Sequence, residues 1–168
     1  KMRAGVLLRS VVAIDAARPE FRIAGVENSV ATRIGGISLQ LRYDRVDCDA
    51  DGAAIILDYK TGRPRQLLDR SGEPKDMQLV AYSCALADPV VAIGLVNVDT
   101  RGIDLDMAGP EFTPDLEWPT VLEEWQEQVR VAATEIARGD VRLSAALNAA
   151  QSRPLGLLSR YRELVHDG

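Results

Sequence analysis

The chain is short of cysteine, histidine and aromatic residues. Its 168 residues include two cysteines, one histidine and two phenylalanines, and aromatics make up only 5%. Two thiols, Cys48 and Cys84, exclude a disulfide-stapled secreted scaffold and suit a reducing, cytoplasmic compartment. Cys84 reads as a small buried apolar residue. No run approaches the ~20 apolar residues of a membrane-spanning helix, so no membrane partner is expected. The opening Lys1-Met-Arg-Ala-Gly-Val lacks a leader peptide's pattern and reads as a helix entered partway, which suggests a domain excised from a longer protein. Positive charge is not in excess either. Twenty Lys and Arg face 25 Asp and Glu, a net charge of −5. That argues against a free-standing, nonspecific nucleic-acid binder, which carries a basic face. It leaves room for a protein that holds a metal on acidic residues and receives nucleic acid from a partner. Internal repeats and low-complexity tracts are absent.

What is present is an ordinary globular composition, 46% hydrophobic and 27% charged, enough for one domain over residues 1–168. Apolar spacing predicts a helix over 2–17, ended by Arg18-Pro19. Phe21–Glu27 alternates as a strand, and Val30–Arg33 continues toward a turn at Gly35-Gly36. Ile37–Asp47 and Ala53–Lys60 form a hairpin, giving three or four antiparallel strands in a row. A polar loop over 63–72 leads to a helix from about Pro74 to Ala87. Val90–Val98 reads as a central apolar strand. Ile103–Met107 reads as an edge strand whose Asp104 and Asp106 protect the edge. After a linker over 110–114, a long amphipathic helix runs from Leu116 to Arg138. Its apolar face carries Trp118, Leu122, Trp125, Val129, Ala132 and Ile136, and Gly139 stops it. The two tryptophans read as core rather than as base-stacking platforms. A short helix with Leu158, Tyr161 and Leu164 closes the chain after Pro154.

The chemistry concentrates in the hairpin. If Ala50, Asp51 and Gly52 form its loop with Gly52 left-handed, Asp49 pairs with Ala53 and Asp44 falls opposite Asp58. Lys60, two residues on, shares that face. Two facing carboxylates repel and are costly to bury, so a cation is needed. A hard divalent ion on oxygen ligands, Mg²⁺ or Mn²⁺, answers both demands. Gln78 and Tyr82, four apart on the following helix, stack on one face beside its apolar stripe.

Arg42-Tyr-Asp44-Arg-Val-Asp47, then Asp58-Tyr-Lys-Thr-Gly62, then Gln78-Leu-Val-Ala-Tyr82 together resemble the PD-(D/E)XK nucleases, in the form found in their RecB-like branch. The chain looks similar to the nuclease domains of AddB-type and related bacterial DNA-repair proteins. The likeness is strong over residues 21–98. It implies an α/β (α+β) fold with a restriction-endonuclease-like core, a central mixed β-sheet holding the antiparallel hairpin and flanked by helices. It implies a metal-dependent deoxyribonuclease, an exonuclease acting in repair or recombination. DNA and a helicase subunit, or a helicase-like region of the same polypeptide, are the implied partners, in the bacterial cytoplasm. By the same likeness Asp44, Asp58 and the carbonyl of Tyr59 hold Mg²⁺ or Mn²⁺. Lys60 positions water or stabilises the transition state, and Gln78 and Tyr82 support Lys60. Arg42, Arg45, Arg63 and Arg65 lie near enough to contact DNA phosphates, or else form a solvated face.

The family pattern is broken in places. Ser159 stands where AddB-like relatives carry a cluster-ligating cysteine, and two cysteines cannot supply four thiolates, so no iron–sulfur cluster is expected. The upstream histidine ligand of relatives either lies before Lys1 or is absent, and the single His166 reads as a solvated tail residue. Leu41 occupies a position often held by Gly. Glu27 reads either as a neighbour of the metal or as a partner of Arg42 or Arg33. These departures keep a second reading open: a nuclease-like domain that no longer cuts and instead holds DNA or braces a helicase. A hydrolase with another substrate is a third class that no residue favours.

Overall fold

The computed structural model describes residues 2–99 and 102–139. Eight elements follow in order: α1 (Met2–Ala16), β1 (Arg22–Ile34), β2 (Ile37–Cys48), β3 (Ala54–Thr61), α2 (Gln78–Ser83), β4 (Val90–Val98), β5 (Ile103–Ala108) and α3 (Trp118–Ala137). The strands form one five-stranded sheet in the order β1-β2-β3-β4-β5. Three of its four pairings are antiparallel, and β3–β4 is parallel. This is the mixed sheet flanked by helices that the motifs imply. The parallel pair needs a crossover, and residues 62–89 with α2 supply it.

Two turns set the register of the first three strands. Ile34 pairs with Ile37 across Gly35-Gly36, both at positive φ (54° and 93°), the conformation a two-residue hairpin requires. Gly35 is needed twice over, because a Cβ there would lie 2.5 Å from the Thr134 nitrogen of α3. At the second turn Gly52 has φ 86° and Asp49 N–H donates to the Ala53 carbonyl at 3.0 Å. Asp49 Oδ1 accepts from the Asp51 and Ala53 amides as well.

β3 is buried on both faces, and alternation sorts its residues. Ile56 joins Ile93, Leu95, Leu79, Val80, Trp118, Leu122 and Trp125 under α2 and α3. Ile55 and Leu57 join Ala92, Val96 and Met107 on the opposite face. Trp118 and Trp125 are core, edge to face at 6.0 Å, and the Trp118 indole donates to the Val90 carbonyl at 3.0 Å.

Several expectations need correction. α2 has one and a half turns rather than the helix expected over 74–87. The backbone of 67–75 pairs with itself instead, with a Leu68–Pro74 bridge and Lys75 N–H donating to the Leu67 carbonyl at 2.9 Å. The apolar stripe of α3 turns away from the core near its end: Ala133 is buried, Ala132 is exposed and Ile136 is 55% exposed. Asp106 does not merely guard an edge, since its Oδ2 accepts from Leu67 N–H at 2.8 Å. Cys48 and Cys84 are free thiols. The expected helix after Pro154, Ser159 and His166 lie outside the described residues. Among the described residues, no helix is long and apolar enough to cross a membrane.

Candidate active site

The site forms where two strands stop pairing. The β2–β3 ladder runs from Cys48–Ala54 to Arg45–Leu57 and ends there. One step further in the same register, Asp44 is level with Asp58. At that step the side chain replaces the backbone: Asp44 Oδ2 accepts from Tyr59 N–H at 2.8 Å. On the other side of β2 the ladder with β1 skips from Val26–Arg45 to Asn28–Tyr43. The skipped residue, Glu27, has φ 55°, a left-handed backbone that a non-glycine residue adopts only under local constraint. Asp44 therefore sits on β2 at a point where both neighbouring strands have loosened their pairing.

Around Asp58 a compact polar chain runs from β3 to α2. Asp58 is 4% exposed. Lys60 Nζ lies 2.7 Å from its Oδ2 and donates to Gln78 Oε1 at 2.6 Å. Gln78 Nε2 donates to Asp58 Oδ1 at 3.1 Å and to the Tyr82 hydroxyl at 2.7 Å. One amide thus ties carboxylate, ammonium and phenol together. Tyr82 is fixed in turn: its ring is 5.1 Å from that of Tyr43, whose hydroxyl donates to the Tyr82 carbonyl at 3.2 Å. Asp76 Oδ1 accepts from Gln78 N–H at 3.0 Å and so anchors the first turn of α2.

Burial pushes the Asp58 carboxyl above its ordinary value. Lys60 opposes that rise, while the negative charges of Asp44 and Asp76 add to it. Despite the ammonium at ion-pair distance, Asp58 Oδ2 is buried with no hydrogen-bond donor in proper geometry. A buried carboxylate oxygen in that condition is costly. It is a hard oxygen donor held next to Lys60. Among the described residues no group of three or more His, Cys, Asp or Glu gathers at one point. The donors at hand are two carboxylates and backbone carbonyls. That set fits Mg²⁺ or Mn²⁺, which bind through one or two carboxylates and keep several waters or phosphate oxygens.

The four arginines separate. Arg45 is a correction. It is one residue from Asp44, and on a strand that puts it on the opposite face. It is 5% exposed and its guanidinium is taken up by Asp47 (Nε to Oδ1, 2.7 Å), Asp15 (2.9 Å) and the Tyr59 hydroxyl (3.5 Å). Burial alone would lower its pKa, but these bonds more than reverse that. No phosphate reaches it. Arg18 completes the buried cluster, donating to Asp47 Oδ2 at 2.8 Å and lying over the Phe21 ring. Arg42 is exposed and paired with Glu27, one of the two alternatives read for Glu27. Arg63 and Arg65 are exposed on the segment after β3. Arg65 lines an open groove of about 840 Å³ that also reaches Lys60.

Sequence reasoning missed two residues that shape this region, Asp76 and Asn97, and misjudged the role of a third, Asp106. The available signal was a polar residue where the pattern calls for none, as with Asn97 inside Val90–Val98.

The family model of the PD-(D/E)XK nuclease superfamily matches residues 1–146. The chain belongs to the PD-(D/E)XK nuclease superfamily. The match takes in every described element. No curated protein sequence matches the chain. Among solved structures, one described as "Crystal structure of SSO0001" is similar at 19% identity and a TM-score of 0.37, over 75% of this chain. The chain spans 57% of that protein's length. In this PD-(D/E)XK chain, the hairpin and α2 bring Asp44, Asp58, Lys60, Gln78 and Tyr82 into one neighbourhood, with Asp44 joined to β3 through Tyr59 N–H.

Proposed function

We propose that the protein is a metal-dependent nuclease that hydrolyses phosphodiester bonds in DNA. The observation that carries this reading is the Asp58–Lys60–Gln78–Tyr82 chain beside Asp44, with a buried carboxylate and an ammonium held together at ion-pair distance. A scaffold with no chemistry has no physical reason to keep a buried, charged cluster of this kind. Asp44, Asp58 and the Tyr59 carbonyl would hold Mg²⁺ or Mn²⁺. When bound, the ion supplies an activated water and neutralises phosphate charge.

The chain's own residues do the rest. Asp44 is braced by Tyr59 N–H, which keeps one of its oxygens fixed. Lys60 Nζ is held between Asp58 and Gln78, so it is aimed rather than free. An aimed cation stabilises the charge that develops on a phosphate being attacked. Gln78 sets Lys60's distance from Asp58, and Tyr82 sets the rotamer of Gln78. The arrangement excludes slack at the reacting centre without burying Lys60 completely.

The motif resemblance extends the proposal to a RecB-like exonuclease working in repair or recombination with a helicase subunit or a helicase-like region of the same polypeptide. The net charge of −5 favours delivery of DNA by such a partner. The test is cleavage of linear and circular DNA, single- and double-stranded, with Mg²⁺, Mn²⁺ or EDTA. Metal-dependent loss of linear DNA with circles spared supports an exonuclease. Cutting of circles points to an endonuclease, and metal-bound protein that leaves all substrates intact refutes a competent centre.

A further inference from the structure

The segment between β3 and α2 reads from sequence as a polar loop, yet it is a built lobe. Leu67 is buried in the core and its carbonyl accepts from Lys75 N–H at 2.9 Å. Asp69 closes the tip: its Oδ1 accepts from the amides of Ser71 and Glu73 and from the Ser71 hydroxyl. Two side chains from the sheet fasten the lobe. The Asn97 amide, on β4, grips the backbone of Arg65 on both sides, accepting from its N–H and donating to its carbonyl, each at 2.9 Å. Asp106, on β5, accepts from Leu67 N–H at 2.8 Å. Side chains thereby make the bonds a neighbouring strand would otherwise make. Asn97 is 2% exposed in a strand otherwise apolar. A primary amide there is costly unless both of its ends are bonded, and both are spent on Arg65.

The consequence is a lobe with a fixed backbone beside an open groove. The groove of about 840 Å³ is lined by Arg65 and Lys75 from the lobe, by Lys60, and by Asp76, Asp104 and Asp106. Lys75 Nζ is itself oriented by Gln66 Oε1 at 2.5 Å. The lobe thus contributes two cations, Arg65 and Lys75, to the groove that Lys60 also lines. We propose that Asn97 and Asp106 are positioning residues that hold the lobe, so that Arg65 and Lys75 grip the nucleic-acid backbone next to the phosphate at Lys60. The proposal rests on the nuclease reading above.

The experiment uses the full chain and a fluorescent oligonucleotide, comparing wild type with Asn97→Val, Asp106→Ala, Arg65→Ala and the double variant Asn97→Val/Arg65→Ala. Cleavage with Mn²⁺ gives kcat and KM, and anisotropy gives binding as a function of salt. Asn97→Val should raise KM roughly 3- to 10-fold at unchanged kcat and lower the salt slope by about 0.7–0.9, as one lost phosphate contact does. Arg65→Ala should do the same, and the double variant should be no worse than either single one. Asp106→Ala should show the same KM pattern and remains informative if Asn97→Val does not fold. A fall in kcat alone, an unchanged salt slope, or additive effects would overturn the assignment. Wild type that binds DNA but does not cut it would sink the hydrolysis reading while the salt-slope comparison still judges the lobe. Wild type that neither binds nor cuts sinks both.

Discussion

Replacing Arg45 by Met separates two roles the residue could have. Arg45 is the hub of a buried cluster: its Nε holds Asp47 Oδ1 and its Nη1 holds Asp15 Oδ2. Asp47 is completely buried, and without Arg45 its remaining side-chain partner among the described residues is Arg18. Removing one member of a buried ion pair costs about 3–5 kcal/mol, because the remaining charge is stranded. Two features lower that figure here. Asp15 is partly exposed and can turn to water, and Arg45 Nη2 is already buried without a partner. The expected loss is therefore about 2–4 kcal/mol, or roughly 4–16 °C in Tm for a chain of this size. Urea unfolding by tryptophan fluorescence measures it, since Trp118 and Trp125 are both core. DNA affinity of the folded variant should be unchanged. A stability loss below about 1 kcal/mol, accompanied by weaker and less salt-dependent DNA binding, would refute the buried assignment and return Arg45 to the phosphate-contacting set.

Gln78→Ala removes three hydrogen bonds at once and should lower kcat about 10- to 100-fold with little change in KM, because it frees Lys60 rather than removing a substrate contact; a KM effect with normal kcat would count against its bridging role. Because burial raises the Asp58 carboxyl above its ordinary 3.8, the folded chain keeps that proton to higher pH than the unfolded chain does. Ionising Asp58 then costs stability, so without metal the wild type should lose stability relative to Asp58→Asn as pH rises from about 3.8 through the raised value, and Mn²⁺ should restore it. Matched pH–Tm profiles check this, and a difference curve that is flat or rises with pH contradicts it. Burial also raises the Cys84 thiol, so its alkylation at pH 8 should be slower than that of a free thiol, as read by mass spectrometry.

Much of the site was legible because local rules fixed it. Gly52 in a left-handed turn determined the hairpin register, and that register alone puts Asp44 level with Asp58 and Lys60 on the same face. Gln78 and Tyr82 met because residues four apart on a helix must. The same alternation rule, applied to Arg45, would have sent it to the opposite face; naming it a DNA contact followed proximity in sequence instead. Other features depended on tertiary pairing that no local pattern encodes. Pro74 and Lys75 look like a helix start, but their backbone is claimed by Leu67 and Leu68, and α2 cannot begin before that pairing ends. Ile136 fits an apolar stripe by spacing, yet the end of α3 meets the β1–β2 turn through Ala133, Thr134 and Ala137 instead, and Ile136 is left 55% exposed. The loss of ladder pairing at Glu27 and Asp44 has no sequence signature at all.

Single-turnover cleavage together with Mn²⁺ titration, on wild type, Asp58→Ala and Lys60→Ala, tests the hydrolytic centre most directly. Both variants should fail to cut, Asp58→Ala should also lose metal binding, and Lys60→Ala should keep it. Variants that cut as fast as wild type would place the chemistry elsewhere, and undiminished metal binding in Asp58→Ala would remove Asp58 from the centre.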